Sequence, residues 1–95
     1  MYARVTSVQI DPAKLSELVA KMPAFKANAK ATAGLVDTYV AWRADGLATI
    51  TSIFETKAAA DAAAAQAQAV WASIAGLLKG APKAEGFDSV ERLLG

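Results

Sequence analysis

An Asp-Gly pair between two β-rich runs constrains this chain more than any other feature. LVDTYVAWR, from Leu35 to Arg43, and LATITSIFE, from Leu47 to Glu55, flank Ala44-Asp45-Gly46. Branched and aromatic residues on both sides of such a turn predict a hairpin, because Gly accepts the positive φ that tight turns need. The flanking segments complete the pattern. Upstream, Tyr2 to Ile10 reads as a strand rich in Val, Thr and Ile. Asp11-Pro12 then stops the strand and opens a helix, with Asp11 as N-cap and Pro12 in the first turn, where no N–H is lost. Leu15, Leu18, Val19 and Met22 form one helical stripe, with Glu17 and Lys21 paired on its solvent side. Pro23 interrupts this helix, Phe25 and Ala29 continue it as a second piece, and Gly34 stops it.

Downstream of the hairpin, Thr56 is a candidate N-cap for one long helix from Lys57 to about Leu78, roughly 33 Å at the usual rise per residue. Its apolar stripe is Ala60, Ala63, Ala64, Ala67, Val70, Trp71, Ile74, Leu77 and Leu78. Gly80, Pro82 and Gly86 punctuate the exit, and Phe87 to Leu94 reads as a last strand. The order β-α-β-β-α-β predicts a ferredoxin-like α+β sandwich: one antiparallel sheet with its helices on one face. Its 95 residues leave room for a single domain, 1–95.

Composition removes whole classes of function. Ten basic and nine acidic residues give a formal charge of +1, without the cationic excess that displaces counterions from nucleic acid. There is no His and no Cys, so imidazole or thiolate metal sites, His-based triads and disulfides are excluded. The carboxylates Asp37, Asp45, Glu55 and Asp61 fall on different elements and predict no metal site. No glycine-rich phosphate loop follows a strand. The apolar content is 55%, yet 24 residues are Ala, and the low-polarity stretch from Ala58 to Leu78 carries Asp61, Gln66, Gln68 and Ser73. A membrane span is not expected, nor is a signal peptide, and the cytoplasm is the expected location.

The strands predict a partner. In the first, Ala3, Val5 and Ser7 oppose Thr6, Val8 and Ile10. In the third, Ala48, Ile50 and Phe54 oppose Leu47, Thr49, Thr51 and Ile53. A sheet with one face in water would alternate apolar with polar. Both faces here are small or apolar, which predicts a homodimer closed through the sheet faces.

With its two-sided strands, GLVDTYVAWR after the first helical region and SIFETKAAADAAA from third strand into helix, the chain resembles the antibiotic biosynthesis monooxygenase family. Phe54, Glu55, Thr56 and Lys57 occupy that family's aromatic–acidic–hydroxyl–basic junction. The resemblance implies a dimeric α+β barrel, and either cofactor-free oxidation of polycyclic phenols or haem degradation. Haem degraders of the family carry an Asn on the first strand, a Trp ending the third and a His on the second helix. This chain has Ser7 and Gln9, Phe54, and no His, so haem degradation is not expected.

Cofactor-free oxidation implies a small aromatic ligand in a pocket between helices and sheet, with no cofactor and no metal. The polar and aromatic groups available to such a pocket are Tyr39, Trp42, Arg43, Phe54, Trp71 and Asn28. In that reading Arg43 stabilises a phenolate and Tyr39 hydrogen-bonds to it. Each also has a purely structural role open to it: Trp71 as the main volume of the core, Tyr39 and Trp42 as strand packing, Arg43 as a solvated hairpin charge, Asn28 in a turn. Catalytic residues stay unassigned, and a non-catalytic binding or assembly protein is the alternative. Ala60, Ala63, Ala64 and Ala67 either bring helix and sheet close together or leave a cavity.

Overall fold

The computed structural model describes residues 1–95. Four strands form one antiparallel sheet: β1 (Tyr2–Gln9), β2 (Leu35–Trp42), β3 (Leu47–Phe54) and β4 (Lys83–Phe87), in the order β2-β3-β1-β4. Between β1 and β2 run α1 (Leu15–Ala20) and α2 (Met22–Lys30); between β3 and β4 run α3 (Lys57–Ala62) and α4 (Ala64–Ser73). This is the expected ferredoxin-like α+β arrangement, with the first strand central beside β3 and β4.

The local signals act as their chemistry requires. Asp11 accepts from the Ala13 N–H at 3.0 Å, starting a 3-10 turn over Pro12–Lys14 that leads into α1. Pro23 lies in the first turn of α2, so the break falls at Lys21. Thr56 accepts from the Ala59 N–H at 3.1 Å, a cap that stabilises a helix by about 1 kcal/mol. Gly46 sits at φ +90, where a Cβ would lie 2.0 Å from the Ile10 carbonyl oxygen. The hairpin is thereby pinned to the end of β1, and the Ile10 N–H donates to the Gly46 carbonyl at 2.8 Å.

Four expectations need correction. The single helix from Lys57 to Leu78 is two helices with a bend at Ala63, followed by a 3-10 turn over Ala75–Leu77. Leu78 instead bridges Ile10. The last strand is Lys83–Phe87, not Phe87 to Leu94: β4 pairs with Ala3 to Ser7 of β1 and ends with Phe87 opposite Ala3. Beyond it, Leu93 and Leu94 are 94% and 101% exposed. Val19 leaves the stripe of the first helix and faces solvent, while Leu18 is buried and Leu15, Met22 and Phe25 pack beside it.

The core is in two parts, both on the helical face of the sheet. Val8, Ile10 and Ala48 meet Leu18, Ile74 and Leu77 at one end; Tyr2 and Phe54 meet Ala60 at the other. The opposite face carries no helix. Two of its rows are Tyr39–Thr51–Val5–Glu85 and Asp37–Ile53–Ala3–Phe87, read straight across the strands. After β4 the chain returns across the sheet, placing the Arg92 guanidinium 3.7 Å from Asp37 on the far strand.

Candidate functional site

Between the two core clusters the helices stand off the sheet and leave a half-open cavity of about 350 Å³. Its cause is legible in side-chain size. Ala60 on α3 is fully buried against Tyr2 and Phe54, holding that helix close to the sheet. One turn on, Ala63 and Ala67 line the space but are too short to fill it, and α4 has no fully buried residue. The alanines therefore do both things open to them: Ala60 packs tightly, Ala63 and Ala67 leave a void, and Ala64 faces a second depression along β4. Trp71, half-buried, packs on the core cluster while lining the cavity. It is not the filled centre of the core.

The candidate residues separate in space. Asn28, Phe54 and Trp71 line the cavity. Asn28 lies within α2, not in a turn, and its side-chain carbonyl accepts from the Gln66 amide at 2.5 Å, joining α2 to α4. Tyr39 borders the cavity but is 64% exposed, and its register opposite Thr51 puts it on the helix-free face. There its hydroxyl donates to Asp37 at 2.7 Å. That hydrogen bond, with the Asp37 negative charge, raises the Tyr39 pKa above the ordinary tyrosine value, partly offset by Arg92. The hydroxyl is committed away from the cavity.

Trp42 and Arg43 lie outside the lining altogether. Trp42 pairs with Ala48 near the hairpin end and is exposed. Arg43 makes a two-pronged contact with Asp45, at 3.1 Å through Nε and 2.6 Å through Nη2. Asp45 also accepts from the Leu47 N–H. The Arg43 hydrogen bond, then that backbone bond, hold the Asp45 carboxyl below its usual range. Arg43 is a hairpin clamp, not a phenolate partner.

A bulge in β2 decides which of its residues face the helices. Leu35 pairs with Phe54 but Asp37 pairs with Ile53, so the faces exchange at Val36. Leu35 consequently faces the helices while Asp37 and Tyr39 do not.

The sequence reading missed the polar floor. Thr38, Ser52 and Arg4 form one row straight across β2, β3 and β1, all lining the cavity. The Thr38 and Ser52 hydroxyls are 3.0 Å apart. Thr6, two residues along β1 from Arg4, also lines it. Even-numbered polar positions on β1 and β3, sharing a face with Val8 and Phe54, are the signal that would have found this floor. Elsewhere, no three acidic side chains converge to hold a metal, and no helix is long and apolar enough to cross a membrane.

No family model and no curated protein matches the sequence. Solved structures do match the fold. A protein of Caulobacter crescentus provisionally named an antibiotic biosynthesis monooxygenase is 20% identical, with a TM-score of 0.80 over 95% of this chain and 90% of that one. A protein of unknown function from Nitrosomonas europaea is 18% identical, with a TM-score of 0.81 over 99% and 93%. A monooxygenase of Streptomyces coelicolor, solved with the ligand nanaomycin D, is 19% identical, with a TM-score of 0.75 over 99% and 91%. Over nearly its whole length, the chain has the fold of proteins named antibiotic biosynthesis monooxygenases.

Proposed function

We propose that the chain binds a small aromatic molecule between its helices and sheet and oxidises phenolic substrates as a cofactor-independent monooxygenase, working as a homodimer. The observation that carries this reading is the cavity. It has mainly apolar walls, 17 of 25 lining residues being hydrophobic, and a volume of about 350 Å³. That size suits a small ligand. The same fold in Streptomyces coelicolor is a monooxygenase with nanaomycin D bound.

The chemistry asks little of the protein. A phenol gives up its proton, and the electron-rich ring reduces O₂. One oxygen atom stays on the ring as a carbonyl and the other leaves as water. Apolar walls favour this by keeping bulk water from the intermediates, while Trp71 and Phe54 offer flat surface to the ring.

One observation favours a second reading, in which the chain binds such a molecule without turning it over. No carboxylate or imidazole lines the cavity, so no side chain there titrates near neutrality as a base. Oxygen uptake with a panel of hydroxylated anthrones and naphthols separates the two. Uptake matched by quinone formation supports the monooxygenase; tight binding with no uptake selects the second reading.

The homodimer rests on the helix-free face. Leu47, Thr49, Thr51 and Ile53 of β3 lie there with Val5 of β1, uncharged and only half-buried in the single chain. A second copy is the occupant whose surface matches it in character.

A further inference from the structure

We infer that Arg4 holds an oxyanion on the cavity ligand, a carboxylate or a phenolate, so that the ligand lies with its charged end over the sheet floor and its apolar body toward Trp71 and Phe25. This rests on the reading of the cavity as a ligand site. Of the residues that line the cavity, only Arg4 and Lys26 are charged, and both are cations. Lys26 is exposed on α2, whereas the Arg4 side chain is 23% exposed, on the central strand.

The guanidinium is poorly spent by the protein itself. One Nη donates to the Ala60 carbonyl at 3.3 Å, and the other lies 3.9 Å from Asp61. Asp61 is closer to Lys57, at 3.2 Å. Five N–H donors in a planar fork are thus left with one carbonyl and one distant, shared carboxylate. Glu85, on the neighbouring strand, pairs with Val5 and borders the depression along β4 that Arg4 also lines, but it makes no ion pair with Arg4.

The surroundings suit an anion. Ser52 is directly opposite Arg4 in register, with Thr38 beyond it, so two hydroxyl-bearing residues share its row on the cavity floor. Thr6 is buried among apolar neighbours and its hydroxyl makes no hydrogen bond, yet no fully enclosed side-chain oxygen in the chain lacks a partner. Its oxygen therefore meets open space, and Thr6 lines both the cavity and the depression along β4. A charged donor with neutral donors beside it, in a largely apolar space, recognises an oxyanion far better than a neutral group of the same shape.

Three probes test this by calorimetry and tryptophan fluorescence: 2-naphthoate, its neutral analogue naphthalene-2-carboxamide, and 2-naphthol. The expected result is that naphthoate binds about tenfold or more tightly than the carboxamide, or that bound naphthol shows the absorbance of its ionised form. The first outcome identifies a carboxylate ligand, the second a phenolate. Arg4→Met should abolish the preference while leaving carboxamide binding in place, and Arg4→Lys should restore part of it. Lys26→Met should leave the preference intact. Because the cavity has only these two cations, the parent protein and Lys26→Met decide the matter even where Arg4→Met fails to fold. Equal binding of naphthoate and carboxamide with naphthol un-ionised overturns the role of Arg4 and leaves the pocket standing. Loss of the preference in Lys26→Met also overturns it. Failure of all three probes to bind overturns the pocket as well.

Discussion

Gly46 shows how one residue joins two parts of the fold. Its positive φ is costly for any L side chain, and a Cβ there meets the Ile10 carbonyl. Gly46→Ala should therefore lose at least the roughly 1–3 kcal/mol of a strained backbone position, read as a lower urea midpoint. Beside it, Asp45 is held below the usual carboxylate range by Arg43. A carboxylate whose pKa falls on folding adds stability above its unfolded pKa and loses it as pH drops through the folded one. Acid should thus weaken the parent more than Asp45→Asn, and urea curves of the two should converge as Asp45 protonates. Tyr39 has the opposite sign, since its pKa is raised by Asp37. Its contribution is present below the ordinary tyrosine pKa and fades as pH climbs through the raised value. Ultraviolet titration should find this phenol ionising late, and Asp37→Asn should bring it back. At this scale the caps and the hairpin were legible because each is chemistry between near neighbours. The partner of Tyr39 was not, because a bulge at Val36 leaves no mark in LVDTYVAWR.

The helices between β3 and β4 carry the most consequential difference between sequence and structure. Periodicity gave one uninterrupted stripe from Ala60 to Leu78, and no Pro or Gly between Lys57 and Ala75 signals a bend. The break at Ala63 coincides with a change of packing: Ala60 on α3 is buried against the sheet, whereas α4 has no buried residue. Spacing can report which residues share a face but not how far that face stands from its neighbour. Two variants follow from the gap. Trp71→Ala should cost less than the about 3–5 kcal/mol of a fully buried aromatic, since its ring already borders a void, and should sharply weaken naphthalene-type ligands. A full-sized loss in a thermal melt would return Trp71 to the core. Ala67→Leu should block the same ligands by filling space, with thermal stability held or slightly raised; marked destabilisation would mean that the void is not there to be filled.

For the whole molecule, the β-α-β-β-α-β order was readable from the hairpin and its flanks, while the two-sided strands lead to the proposal of a covered sheet. The return of the C-terminal segment to Asp37 was not readable, because no local pattern marks a long-range ion pair such as that of Arg92 with Asp37. Light scattering should give a particle of about twice the chain's 9.8 kDa. Thr51→Lys, in the middle of the helix-free face, should halve it; a parent protein that runs as a monomer would end the sheet-to-sheet proposal. The strand order has a consequence during synthesis. β1 emerges from the ribosome first yet takes a central place, bonded to β3 on one side and to β4 on the other. Its second edge stays open at least until β4 has been made, an interval on the order of seconds after β3 at about 5–20 residues per second. An open edge can recruit a strand from any other chain nearby. How long β1 must be shielded therefore includes the time taken to translate the alanine-rich stretch between β3 and β4, on top of the time the finished strands need to find one another.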